Sequence, residues 1–203
     1  MIDLTNNLDY TYLNAPNVTK NNLPTLKEGY LAIEGLVGQR LVNNEKPNNK
    51  GGLGISLEKT LGLPQGSHQC DFADGELKTA KLNPKKTGLK DDFRLSAKWD
   101  IKYIIEKVSN MLVVTITQDG IIDNVYHLNM FDNPKVMDVF LREFNFIKEK
   151  GLDKISQSDT NFFVAKTQNH TRSLYIARPF MSVLLGYEFS GRKGYETYKE
   201  VFC

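Results

Sequence analysis

The run "MLVVTITQ" (111–118) constrains the fold more than any other stretch. It is β-branched and largely apolar, which reads as a strand at the centre of a sheet rather than at its edge. "NVYHLNMF" (124–131), reached through an Asp-Gly turn, reads as its neighbour. "NFFVAKT" and "SLYIA" (161–167 and 173–177) are two further strands around the polar turn "QNHTR". Helical spacing marks "LKEGYLAIEGLVGQRL" (26–41), with Leu31, Ile33, Leu36, Val37 and Leu41 on its apolar positions. It marks "LGISLEKTLG" (53–62), stopped by Gly62 and Pro64, and "DIKYIIEKV" (100–108), with Asp100 as N-cap. "PKVMDVFLREFNFIKEKG" (134–151) is the clearest helix, with Pro134 at its start and Lys148, Lys150 and Gly151 at its end. "PFMSVLLGYEF" (179–189) is a short apolar helix. The order of elements predicts a mixed α/β (α+β) fold with a central mixed sheet flanked by helices. It lacks the βαβαβ alternation of a Rossmann fold.

A chain of 203 residues suits one domain, 1–203, with room for two lobes. The net charge of +2 argues against a histone-like polycation but leaves local basic patches to decide the partner. Such patches occur at Lys81, Lys85, Lys86 and Lys90, at Lys166, Arg172 and Arg178, and at Arg192 and Lys193. Cys70 and Cys203 fit no ligand spacing. The opening "MIDLTNNLDY" has no secretory pattern, and no apolar run approaches the ~20 residues that span a bilayer. The expectation is a reduced, cytoplasmic protein away from membranes.

Chemistry concentrates in "CDFADGELKTAKL" (70–82). Asp74-Gly75 is a turn signal between a short strand ending near Phe72 and a strand from Glu76 to Leu82. Residues two apart in a strand share a face, so Glu76 and Lys78 point one way and Leu77 and Thr79 the other. A tight turn brings the Asp71 carboxylate towards Glu76. Two converging carboxylates repel unless a cation separates them. Mg2+ suits them, because it takes oxygen ligands and completes its shell with water and phosphate. Lys78, facing the same pocket, can position an attacking water and stabilise charge growing on a phosphate. Glu58 borders the buried stripe of the preceding helix and is a candidate third acidic ligand. A solvated hairpin carries the same letters, so the spacing alone is weak.

The stretch "KGGLGISLEKTLGLPQGSHQCDFADGELK" (50–78) resembles the core of the MutH family of PD-(D/E)xK nucleases. That family comprises a methyl-directed mismatch-repair nickase and related type II restriction endonucleases. "KGGLGISLE", "DF" and "GELKT" follow the family's motifs in order. The resemblance implies a restriction-endonuclease-like fold, with Glu58, Asp71 and Glu76 as acidic metal-site residues and Lys78 as catalytic lysine. It places a second functional lysine at Lys107, in "IIEKVSNMLVV". "FFVAKTQNH" is similar to the family's base-reading segment, and "LYIARPFMSVLL" to its closing strand and helix, with the family's tyrosine at Tyr175. The chain departs from the family in a shorter Asp71–Glu76 gap, in Gly52 at an aromatic position, and throughout Thr79 to Ile101.

The implied activity is Mg2+-dependent cleavage of double-stranded DNA by a type II restriction endonuclease, monomer or homodimer, at GATC-type targets. A repair nickase and a DNA-binding protein that has lost the chemistry are the alternatives. Lys166, Thr167, Gln168, Asn169, Arg172 and Tyr175 are the candidate sequence readers, since amide and ammonium groups suit base edges. Lys50, Lys85, Lys86 and Lys90 are candidate backbone contacts, which carry affinity without sequence information. His68, His127 and His170 show no metal-ligand spacing. His127 reads as a hydrogen-bonded structural residue, His170 equally as a polar loop residue or a DNA contact, and Trp99 as a packing residue.

Overall fold

The computed structural model describes residues 23–42, 51–64, 70–96, 100–156, 159–168, 171–187 and 201–202. Lys50, Asn169, His68, His170 and Trp99 lie outside them, as does the Gln168 side chain.

The architecture is mixed α+β. Five helices are described, α1 (Leu26–Glu34), α2 (Gly52–Thr60), α3 (Ile101–Ser109), α4 (Pro134–Lys150) and α5 (Arg178–Leu184). The strands are β1 (Glu76–Lys81), β2 (Phe93–Ser96), β3 (Met111–Ile116), β4 (Ile122–Leu128), β5 (Phe163–Gln168) and β6 (Thr171–Ile176). Local chemistry sets several ends. Thr25 and Glu28 form a capping box at the start of α1. Asp100 accepts from Tyr103 N at the start of α3, as its position before the apolar run predicts. Asn133 caps α4, Pro134 opens it, and Gly151, at φ 88°, ends it. The helix expected over 26–41 stops at Glu34, because Gly35 caps it and Gly38 adopts φ 85°.

β3 is the centre strand of a sheet ordered β1-β3-β4, parallel to β1 and antiparallel to β4. Every residue of β3 is buried. Alternate residues serve two cores. Leu112, Val114 and Ile116 pack with Leu77, Ile33, Leu57 and Phe72. Met111 and Val113 pack with Ala80, Leu82, Ile104, Phe140 and Phe163 on the other face. Burying each large apolar side chain is worth ~1.5–3 kcal/mol, so the strand that serves both faces anchors the molecule.

The remaining strands form a second, antiparallel sheet ordered β2-β6-β5 in place of one continuous central sheet. β2 lies in the stretch where the sequence suggested no element. Phe93 and Leu95 are buried and Arg94 is exposed. This alternation is real, but at four residues between charged segments it is short. β2 pairs with β6, Phe93 opposite Ile176 and Arg94 opposite Tyr175. Edge-to-face rings join this sheet to α4 and α5, with Phe140 and Phe163 centroids 5.1 Å apart and Phe162 and Phe180 4.4 Å apart. Among the described residues no helix is long and apolar enough to cross a membrane.

Candidate active site

The turn before β1 is held from three sides. Phe72 N donates to Gly75 O at 2.9 Å, closing the turn. Asp74 Oδ1 accepts from Leu26 N at 2.7 Å, tying the turn to the first residue of α1. Asn110, between α3 and β3, donates from Nδ2 to Asp74 O at 2.7 Å and accepts from Glu76 N at 3.1 Å through its carbonyl. His127 Nε2 lies 2.6 Å from Asn110 Oδ1, the hydrogen-bonded structural place expected of it. A Cβ on Gly75 would fall 2.4 Å from Asn110 O and from Leu26 Cδ1, so only glycine lets the turn lie this close.

Glu76 is thereby fixed at the first position of β1, 2% exposed, on the strand face that also carries Lys78. Lys78 Nζ donates to Glu76 Oε1. Lys107 Nζ, arriving from the last turn of α3, donates to the same oxygen at 2.6 Å. The second oxygen, Oε2, is buried with no hydrogen-bond partner among the described residues. Asp71 stands beside this group, with Oδ2 accepting from Leu77 N at 2.9 Å. Burial, and then the charge of Glu76, push the Asp71 carboxyl above its usual range, against the Leu77 N–H and the two lysines. Burial alone would lower the Lys107 ammonium. The charge and hydrogen bond of Glu76, helped by Tyr103 and Asp71, instead hold it above its ordinary value. Lys107 is 9% exposed and lies 5.1 Å from the centroid of the Tyr103 ring. The site therefore sets two carboxylates against two ammoniums.

Glu58 stands apart. Its helix packs on the opposite face of β1, with Leu57 and Leu77 in one core and a Cβ built on Gly54 3.4 Å from Thr79 Oγ1. Among the described residues no three His, Cys, Asp or Glu side chains converge as a ligand set. The acidic pair is Asp71 and Glu76. The pair fits a magnesium ion on its donor chemistry, because one buried carboxylate oxygen is unpartnered and Mg2+ commonly takes one or two carboxylates.

The expected DNA-facing residues divide. Lys85, Lys86 and Lys90 are exposed on the segment after β1. Lys86 donates to Asp123 at 2.8 Å and Lys90 to Gln118 at 3.0 Å. Thr167 is exposed on β5. Lys166 pairs with Asp92 at 2.5 Å. Tyr175 is 8% exposed and belongs to the core rather than to an open surface. Arg172 directs Nε to Leu152 O at 2.8 Å, Nη2 to Ile155 O and Nη1 to Thr167 Oγ1, so its guanidinium holds the turn after α4 to the β5–β6 hairpin.

Sequence reasoning singled out neither Asp92 nor Glu143. Asp92 lies in the stretch that follows no family pattern. Glu143 carried a readable signal, since it falls among Val136, Val139, Phe140, Phe144 and Ile147 on the buried stripe of α4. A carboxylate there must find donors, and it does, in the backbone N–H groups of Asn161 and Phe162 at 2.9 Å and Phe163 at 3.0 Å.

Compared with protein-family models and with curated proteins, the chain matches none of them.

Proposed function

We propose that the chain is a Mg2+-dependent endonuclease that cleaves double-stranded DNA at specific sites, of the type II restriction class. The observation that carries this is the Glu76 carboxylate, which receives two lysines on one oxygen and leaves the other unpartnered beside Asp71. A cluster of partly desolvated charges with perturbed titration is the pattern of a functional-site candidate. Asp71 and Glu76 would hold the ion, which when bound supplies a Lewis acid for the scissile phosphate and a more acidic water. Lys78, a quarter exposed, orients the attacking water and meets the charge that grows on the phosphate. Lys107 holds the Glu76 carboxylate in place through its contact with Oε1. Lys85, Lys86 and Lys90 grip the DNA backbone, and the Lys166–Asn169 segment reads the bases. The enzyme works in the cytoplasm as a monomer or homodimer.

Supercoiled plasmid and unmethylated genomic DNA incubated with and without Mg2+ test this directly. Discrete fragments in Mg2+, none without it, and none from Asp71→Ala are expected, with DNA binding by the variant retained within about tenfold because phosphate contacts supply most affinity. An inert wild-type protein, or an Asp71→Ala variant that cuts at the wild-type rate, would overturn the assignment.

A further inference from the structure

Asp92, the residue before β2, ties together three parts of the second sheet. Its Oδ2 lies 2.5 Å from Lys166 Nζ on β5. Its Oδ1 accepts from Arg178 N, the first residue of α5, at 2.8 Å. Arg178 returns Nη1 to Lys90 O at 3.0 Å, closing a loop of contacts around the carboxylate. Lys166 Nζ sits 5.4 Å from the centroid of the Tyr175 ring, whose strand pairs with both β2 and β5. The Lys166 side chain is 39% exposed and that of Asp92 is 16% exposed. An ion pair between two mobile surface groups is worth little. Here the carboxylate is fixed by a backbone amide, which sets where the ammonium meets it.

We infer that Asp92 is a specificity-positioning residue that makes Lys166 a reader of base edges rather than a phosphate clamp. This rests on the DNA-cleaving assignment above. An ammonium has three donors. Asp92 takes one and fixes the direction of the others, which suits acceptor atoms in the major groove. Its negative charge also repels phosphate, which disfavours every DNA equally and is offset only where Lys166 finds its base acceptors. Discrimination built by penalising the wrong partner works in this way. Asp92 itself touches no DNA in this scheme and acts through Lys166.

The test compares wild type, Asp92→Asn, Lys166→Gln and the double variant. Each is titrated with the duplex the wild type cuts and with a scrambled duplex, in Ca2+, from 50 to 200 mM salt. The amide that replaces the carboxylate in Asp92→Asn keeps an oxygen to accept from Arg178 N and puts an NH2 where Oδ2 met Lys166, which removes the charge and the ion pair together. Asp92→Asn should bind scrambled DNA several-fold more tightly, with a log–log salt slope steeper by about 0.9, the value of one additional phosphate contact. Its preference for the cut sequence should fall. Lys166→Gln should lose on the order of tenfold on the cut sequence and little on scrambled DNA, as for one base contact. The double variant should return the salt slope to that of the wild type. An unchanged slope in a folded Asp92→Asn protein overturns the inference while leaving the nuclease assignment intact. Should Asp92→Asn fail to fold, Lys166→Gln decides, and equal losses on both duplexes overturn it. Failure of the wild type to bind or cut DNA removes the assignment and the inference together.

Discussion

Glu76 and Glu143 are both buried acids, at 2% and 8% exposure, yet their surroundings differ in kind. Glu143 is satisfied by three backbone N–H groups at the entry to β5. Those donors belong to the fold and cannot be exchanged for anything else. Glu76 is satisfied by two lysines on flexible stems, both on one oxygen, and its other oxygen is unpartnered among the described residues. Lysines can swing and an open oxygen can accept a ligand. A buried acid matched to the backbone holds the chain together. One matched to side-chain cations, with capacity to spare, has the means for chemistry. Buried polar groups are normally satisfied, so an unpartnered carboxylate oxygen is informative.

The largest expected effect separates the two directly. Lys78→Ala should lower the cleavage rate by on the order of 10²–10⁴, the usual loss for one positioned electrostatic or proton-transfer group. Its stability should move by less than about 1 kcal/mol, since Lys78 is partly exposed and Lys107 still pairs with Glu76. Single-turnover cleavage and urea unfolding of the same preparation check both halves. A variant that unfolds while the folded remainder cuts normally would move Lys78 to the structural side of the comparison.

Glu143→Ala should show the mirror image. Three buried donors lose their acceptor, for a cost of about 3 kcal/mol after partial access of water. That corresponds to a fall in Tm of roughly 6–12 °C for a chain of this size. Cleavage per folded molecule, measured well below the new Tm, should stay near wild type, because Glu143 lies at the α4–β5 junction and not at the β1 turn. Full stability with lost cleavage would erase the distinction drawn here.

The lysine pair sharpens the comparison at smaller scale. Either lysine alone can neutralise Glu76 Oε1, so the two removals should not add. Lys78→Ala with Lys107→Ala should destabilise by about 0.5–3 kcal/mol more than the sum of the singles, the range for residues that share a partner. Additive losses in the denaturation cycle would mean that Glu76 does not depend on the two together.

Much of this site was legible because its geometry is local. A period of two puts Glu76 and Lys78 on one face, and one turn separates them from Asp71. "MLVVTITQ" announced a centre strand for the same reason, since burial on both faces is written in every letter. Lys107 was placed only by resemblance, because its meeting with Glu76 depends on the parallel β1–β3 register and on α3 packing beside it. No periodicity reports such a contact. Glu58 marks a different limit. Its helix and its place beside the apolar stripe were legible, but the face of β1 that the helix covers is a tertiary choice. The division of the strands into two sheets followed from β2, whose four residues are too few to register as a pattern. Asp92 and its lysine stayed hidden with it.

The smallest effect concerns proton binding at Glu143. Burial raises its carboxyl above the ordinary value near 4.5, and the N–H bonds from Asn161, Phe163 and Phe162 only partly offset this. A raised acid holds its proton more readily in the folded chain than in the unfolded one. The stability gained from that proton is complete below pH 4.5 and is lost as pH rises through the folded value. Glu143→Gln cannot titrate and loses nothing over the same window. The stability deficit of Glu143→Gln should therefore be greatest at acid pH and narrow towards neutrality, as read from urea midpoints at several pH values across that window. If the deficit grows with pH instead, the three N–H groups outweigh burial and Glu143 is ionised by design. The contrast with Glu76 would then rest on the donors alone, backbone N–H groups at Glu143 and lysine side chains at Glu76.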